Sequence, residues 1–224
     1  MVESPTNIEW NTPAGRLIDQ LLDVLPSGQD VLITIFGSGA LQMVFGDKDR
    51  RVLSQDVDIY ANRDIEAIIH QHKLDTETKY PPPGIRLCSE LSFRATPNWQ
   101  DRALVISRKG HRVRLPHPTD ILISKLPRLE EKDIEAFVIV REKTGHPDEA
   151  ELVNELQKAV DLYNRPPFDD EQPRIFPNTQ ELWRRIFGHD IDVRARIIKP
   201  ALECRKSEYD HKGGISAEFG KEAL

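Results

Sequence analysis

The sequence predicts an α+β fold, in which a mixed β-sheet is flanked by helices and followed by a C-terminal helical region. In the first half of the chain, short apolar runs rich in β-branched residues alternate with helical patterns, and 31–36 is the clearest such run. From Pro118 onward the chain instead shows the 3.6-residue apolar period of amphipathic helices. This change separates a sheet-bearing part from a helical part.

Helices and strands alternate in the predicted sheet region. Residues 14–25 place leucines at helical spacing, and a Pro-Ser-Gly sequence ends that helix. The buried strand 31–36 leads through a Gly-Ser-Gly turn into a short helix at 40–45. The remaining predicted elements are a strand at 56–60, a helix at 63–73, strands at 85–93, 103–107 and 112–115, and a hairpin turn at Lys109-Gly110.

Helical periodicity defines the second part of the chain. The predicted helices cover 119–126, 130–143 and 147–164, and their apolar positions predict packing against the sheet as one wall of a cleft. Prolines in 165–177 indicate a strap, a last short helix follows at 178–186, and the polar tail beyond it is expected to fray.

Four regions are therefore expected along the chain. They are an α/β core at 1–116, a helical region at 117–164 packed on that core, a strap and C-terminal helix at 165–205, and a flexible tail at 206–224. The sequence contains no internal repeat.

Composition restricts the function classes. The 224 residues are 38% hydrophobic and 30% charged, with a formal net charge of −6. Proteins that coat nucleic acid without sequence preference are normally basic, so the chain as a whole does not fit that class. No stretch is apolar enough to cross a bilayer and the first residues do not resemble a signal peptide, so we expect a cytoplasmic protein without membrane partners. Cys88 and Cys204 are expected to be reduced thiols.

The chemistry is predicted to lie in two neighbouring motifs. Gly37-Ser38 follows a buried strand and opens a helix whose free backbone N–H groups suit a phosphate, with the Ser38 hydroxyl as a further donor. Asp56 and Asp58 are two apart on a strand, so both project from one face. Because adjacent carboxylates repel each other, the pair predicts a cation between them, and hard oxygen ligands favour Mg²⁺ or Mn²⁺ over zinc.

These motifs resemble the nucleotidyltransferase fold superfamily in its minimal form. Within it, the chain is similar to a group of uncharacterised bacterial proteins, domain of unknown function 6036, and to toxins of the AbiEii/MenT type. The resemblance covers roughly residues 15–165. The segments that carry it are 35–60, the Asn98–Arg102 run, Arg114–Pro116, Asp120–Leu126 and Glu131–Glu135.

The resemblance implies a set of site residues. Asp56 and Asp58 would be catalytic and would bind the metal, while Gly37 and Ser38 would hold the phosphates of an NTP substrate. Lys125 would face the same cleft as a catalytic and phosphate-binding residue, with Asp133 nearby. We expect the charged head of Lys125 in solvent, so that its replacement by alanine weakens NTP binding and leaves the fold intact.

The chain departs from the superfamily pattern at the third carboxylate, which usually lies on a later strand between apolar residues. Asp101, just before the strand at 103–107, is one candidate for this catalytic role, and Glu90 is another. The remaining alternative is that the residue is absent.

Two hypotheses about function follow. The first is a metal-dependent enzyme that transfers an NMP from an NTP to RNA, tRNA or protein, with the toxin of a toxin–antitoxin pair, bound by its cognate antitoxin, as one role that the resemblance implies. The second is a catalytically silent protein of the same fold that acts as a binding or assembly partner.

Two groups of basic residues are candidates to guide RNA or nucleotide. Their members are Arg102, Arg108, Lys109, Arg112 and Arg114 in the first group, and Arg184, Arg185, Arg194, Arg196 and Lys199 in the second.

Overall fold

The computed structural model of the chain describes residues 8–46, 56–164 and 173–219, with only the backbone described for 212–219. The strands are β1 (Leu32–Ile35), β2 (Asp56–Ala61), β3 (Gly84–Leu87), β4 (Leu104–Arg108) and β5 (His111–Leu115). The helices are α1 (Pro13–Val24), α2 (Gly37–Phe45), α3 (Glu66–Gln71), α4 (Pro118–Lys125), α5 (Glu131–Thr144), α6 (Glu149–Lys158), α7 (Ile175–Phe187) and α8 (Lys199–Phe219).

The five strands form one mixed sheet in the order β3-β2-β1-β5-β4. β1 runs antiparallel to β2 and parallel to β5, and β2 runs parallel to β3. β4 and β5 form an antiparallel hairpin whose turn, Lys109-Gly110, has positive φ at both residues, as the sequence predicts. The predicted mixed sheet flanked by helices is confirmed.

The two faces of the sheet differ in chemistry. One face is apolar, with Ile33, Val57 and Val113 completely buried. Helix α2 packs on β2 at this face, and α1 and α4 pack on α2 in turn. Since side chains alternate along a strand, the opposite face of β2 carries Asp56 and Asp58. The candidate site therefore lies on the polar face.

The second half of the described chain is helical, as predicted. Helix α4 is buried on nearly every side, and α5 packs between α4 and α7. Phe137, Leu156 and Trp183 are completely buried in this region. Within the described ranges, every helix is too short or too polar to cross a lipid bilayer.

The structure bears on three predicted boundaries in different ways. The strand predicted at 85–93 ends at Leu87, because the Ser89 side chain accepts a hydrogen bond from the Leu91 amide and starts a 3₁₀ turn. The backbone is helical to Phe219, and fraying of the tail from about residue 206 stays a prediction. Of the predicted strap, 165–172 lies outside the described residues.

Candidate active site

Asp56 and Asp58 lie on one face of β2 and converge on a single guanidinium, that of Arg86. Arg86 Nη1 lies 3.0 Å from Asp56 Oδ2, and Arg86 Nε donates to Asp58 Oδ1 at 2.6 Å. The pairing of β2 with β3 sets Arg86 opposite Asp58. The hydrogen bond to Asp58, opposed by partial burial and supported by both negative charges, raises the pKa of Arg86 above its usual range. The shared face predicted from the sequence is present, with Arg86 at the point of convergence.

The N-terminus of α2 lies directly beside Asp58. Gly37 begins this helix with φ +62°, and a Cβ at this position would lie 3.3 Å from Asp58 Oδ2. The Phe36 amide donates to the Asp58 carbonyl oxygen at 2.8 Å, which ties the end of β1 to β2. Glycine is required at residue 37 because another side chain would be strained there and would press on the carboxylate. The arrangement brings the predicted phosphate-binding turn to the carboxylate pair.

Lys125 joins α4 to the start of α2. Its ammonium donates to Asp133 Oδ1 at 2.6 Å and to Ser38 Oγ at 3.3 Å. The lysine side chain is only 5% exposed, so the expectation of a charged head in solvent is wrong. Lys125 is buried because other elements enclose α4 on nearly every side. The chain then turns after α4 and places Asp133, in the first turn of α5, next to the lysine.

Asp133 is buried, and both of its carboxylate oxygens accept hydrogen bonds. Besides Lys125, it accepts hydrogen bonds from the Glu130 amide and from Arg128 Nε. Burial alone would raise the pKa of Asp133, but the positive charge and hydrogen bond of Lys125, with those further donors, lower it below its usual value. Asp133 therefore acts as the anchor of Lys125.

These elements surround a cleft of about 230 Å³. Larger cavities of about 560 and 530 Å³ lie away from the carboxylate pair, so the cleft stands out by its chemistry rather than by its size. The residues that line the cleft are Phe36, Gly37, Asp58, Cys88, Ser92, Phe93, Ser124, Lys125, Pro127 and Arg128. Asp58, Gly37 and Lys125 therefore line the same cleft, as the sequence predicts.

A family model described as nucleotidyltransferase of unknown function (DUF6036) matches residues 15–144. The chain belongs to this family. The matched segment contains the carboxylate pair, the start of α2, Lys125 and Asp133. No curated protein and no solved structure matches the chain. None of these comparisons supports the similarity to AbiEii/MenT-type toxins, which stays a prediction.

Neither candidate for the third carboxylate, Asp101 or Glu90, is among the residues that line the cleft. Asp101 is exposed in a 3₁₀ turn before β4 and does not contribute to the lining of the cleft. Glu90 accepts a hydrogen bond from Arg114 Nη2 at 2.5 Å, while Arg114 Nε donates to Thr34 Oγ1 on β1. The position opposite Asp58 on the neighbouring strand holds Arg86 instead of a carboxylate.

The motifs that resemble the family also build a second, structural ion-pair network. Arg102 donates to both oxygens of Asp120, which is completely buried and also accepts from the Thr96 hydroxyl. Arg102 further pairs with Glu155 of α6 at 2.8 Å. Trp99 packs edge-on against Phe93 nearby. This network joins the 3₁₀ turn before β4 to the helices α4 and α6.

Sequence reasoning missed Arg86, although a signal is present. Ile85-Arg86-Leu87 has the apolar-charged-apolar pattern expected of the strand that follows the Asp pair, and only carboxylates were considered at its centre. The partnership of Arg102 with Asp120 was missed as well, because the two residues lie on different elements.

The two basic groups are largely neutralised by partners within the chain. Asp19 pairs with Arg108 and Lys109, Asp30 with Arg112, and Glu90 with Arg114. In the second group, the partners are Glu181 and Asp190 for Arg184, Glu131 for Arg185, Glu149 for Arg196, Glu203 for Lys199, and the Phe176 ring for Arg194. Neither group presents a row of unpaired cations to RNA within the part of the chain that is described.

The donor set of the pair fits one kind of metal. Among the described residues, no three His, Cys, Asp or Glu side chains cluster in a way that could hold an ion. Asp56 and Asp58 supply two carboxylates that are 30% and 25% exposed. Since Mg²⁺ in proteins typically takes one or two carboxylates and completes its shell with waters and substrate phosphates, the pair suits a cation that binds together with a nucleotide.

Proposed function

We propose that the chain transfers an NMP from an NTP to an acceptor, with Asp56 and Asp58 holding Mg²⁺ or Mn²⁺. The observation that carries the proposal is the meeting of three features at one cleft: Asp58 of the carboxylate pair, the N-terminus of α2, and the buried Lys125. Membership of a nucleotidyltransferase family supports this choice of reaction class.

Different residues of the chain bind different parts of the triphosphate. The free N–H groups at the start of α2 bind phosphate oxygens, and glycine at residue 37 lets a phosphate approach the backbone. Lys125 uses two of its three N–H bonds on Asp133 and Ser38, which leaves one for a phosphate in the cleft. Asp133 and Arg128 keep the ammonium in place. A divalent cation held by Asp56 and Asp58 would neutralise charge on the transferred phosphoryl group.

The acceptor belongs to one of two classes, RNA, including tRNA, or a protein hydroxyl. Intramolecular neutralisation of both basic groups gives a long RNA little to bind, and a tRNA end or a protein hydroxyl needs less surface. Action as a toxin restrained by a cognate antitoxin is part of the same proposal.

A silent binding protein is the second candidate function. One observation favours it: Arg86 already forms ion pairs with both carboxylates of the pair. In this alternative, the ion pairs would hold β2 and β3 together and no metal would bind.

Transfer of label separates the two candidates. The chain is incubated with each α-labelled NTP, Mg²⁺ or Mn²⁺ and total RNA, and labelled RNA and labelled protein are separated on gels. The enzyme is expected to label one class of acceptor, and Asp58→Asn is expected not to. Absence of metal binding together with absence of label in every acceptor would favour the silent alternative. Failure to bind NTP at all would overturn the proposal.

A further inference from the structure

We propose that Arg86 is an internal competitor for the metal site, whose guanidinium must leave Asp56 and Asp58 before a divalent cation binds them. The inference rests on the proposed function, since it concerns the carboxylates assigned there to the metal. It assigns Arg86 a role in setting how tightly the nucleotide-free chain binds metal.

The geometry places Arg86 between the two carboxylates rather than beside one of them. Nη1 reaches Asp56 at 3.0 Å while Nε reaches Asp58 at 2.6 Å, so one planar fork spans the pair. The bridging follows from strand register, because β2 and β3 are parallel and Asp58 and Arg86 are directly paired. A guanidinium in this position uses oxygens that a metal would need.

The charges lead to the same conclusion. The two carboxylates are negatively charged, and the positive charge of Arg86 offsets part of that charge, which weakens the attraction for an incoming cation. The Lys125 ammonium is directed to Asp133 and Ser38 rather than to the carboxylate pair. Removal of the arginine charge alone should therefore strengthen binding of a cation.

The exposure of the three side chains makes exchange feasible. The Arg86 side chain is 53% exposed, and those of Asp56 and Asp58 are 30% and 25% exposed. A partly exposed ion pair contributes little net free energy because water screens it. The arginine can therefore be displaced, unlike the buried lysine that pairs with Asp133.

Mn²⁺ titration by calorimetry, without nucleotide, tests the proposal. Arg86→Gln is expected to bind Mn²⁺ about threefold to tenfold more tightly than the parent, a range set by the modest strength of exposed ion pairs. Arg86→Lys keeps the charge but loses the fork and should lie between the two. Arg112→Gln is the matched control, since it removes an equal charge from an exposed arginine paired with Asp30 and should leave the dissociation constant unchanged.

The outcomes separate this inference from the proposed function. If Arg86→Gln and Arg86→Lys both bind Mn²⁺ no more tightly than the parent, Arg86 does not compete and the inference is wrong, even where the parent transfers NMP. Tighter binding that Asp58→Asn abolishes in the Arg86→Gln background supports it, whether or not any acceptor is labelled. If Arg112→Gln tightens binding as much as Arg86→Gln, general charge explains the effect and the inference fails.

Discussion

Two aspartate–arginine pairs in this molecule have the same chemistry and opposite surroundings. Asp120 is completely buried, and Arg102 and the Thr96 hydroxyl occupy its oxygens. Asp58 is 25% exposed at the cleft and shares one arginine with a second carboxylate. A buried carboxylate that is completely paired holds elements together, whereas a partly exposed carboxylate pair at a cleft can still take a ligand.

Replacement of the exposed carboxylate should have the largest effect on activity. Asp58→Asn is expected to reduce NMP transfer about 10²–10³-fold, because a metal held by one carboxylate would stabilise the transition state less. The free energy of unfolding should change by less than about 1 kcal/mol, since exposed ion pairs contribute little. Transfer assays and urea unfolding check the two parts, with Asp30→Asn as a control. If Asp58→Asn were inactive and also strongly destabilised, Asp58 would have a structural role like that of Asp120, and the contrast between the two aspartates would be wrong.

Replacement of the buried carboxylate should have the opposite profile. Asp120→Asn is expected to lower the free energy of unfolding by about 3 kcal/mol, because Arg102 is left without its main partner. The exposed neighbour Asp101 offers a matched control, and Asp101→Asn should change stability by less than about 0.5 kcal/mol. Urea unfolding measures both. Normal stability of Asp120→Asn would contradict the structural role, and loss of transfer in a stable Asp101→Asn would restore Asp101 as a catalytic candidate.

Lys125 lies between these two extremes, because it is buried and also borders the cleft. Lys125→Ala should cost about 2–3 kcal/mol of stability by leaving Asp133 buried with only Arg128 and a backbone amide. It should also weaken NTP binding about tenfold. Calorimetric NTP titration at a temperature where the variant is folded separates the effects, with exposed Lys132→Ala as the control. A destabilised variant that binds NTP like the parent would make Lys125 purely structural.

The sequence predicts much of the fold because periodicity is a local property. The buried run at 31–36 and the helical spacing after Pro118 appear as β1 and as the helices α4 to α6. Burial of Lys125 could not be predicted, because the residues 120–126 do not show that neighbouring elements enclose α4 on nearly every side. The contact of Arg86 with the carboxylate pair could not be predicted, because it depends on the register of β3 against β2. The local sequence does not determine which residues of two strands are paired.

The smallest effect expected is on pH dependence. The folded-state pKa of Asp133 lies below its unfolded value of about 3.9, so its contribution to stability is complete above that pH and is lost as pH falls through the folded pKa. Asp133→Asn should therefore be less stable than the parent near neutral pH, and the difference should narrow as the pH falls below about 4. Urea unfolding across this range measures it. A difference that widens at low pH would contradict the lowered pKa.

Metal-dependent nucleotide binding tests the central claim most directly. A non-hydrolysable NTP analogue is titrated by calorimetry into the parent and into the double variant Asp56→Asn/Asp58→Asn, with Mn²⁺ and with EDTA. We expect Mn²⁺ to tighten binding to the parent and to have no effect on the double variant, which still binds weakly through the start of α2 and Lys125. Equal enhancement by Mn²⁺ in both proteins would show that the metal site lies elsewhere and would contradict the account.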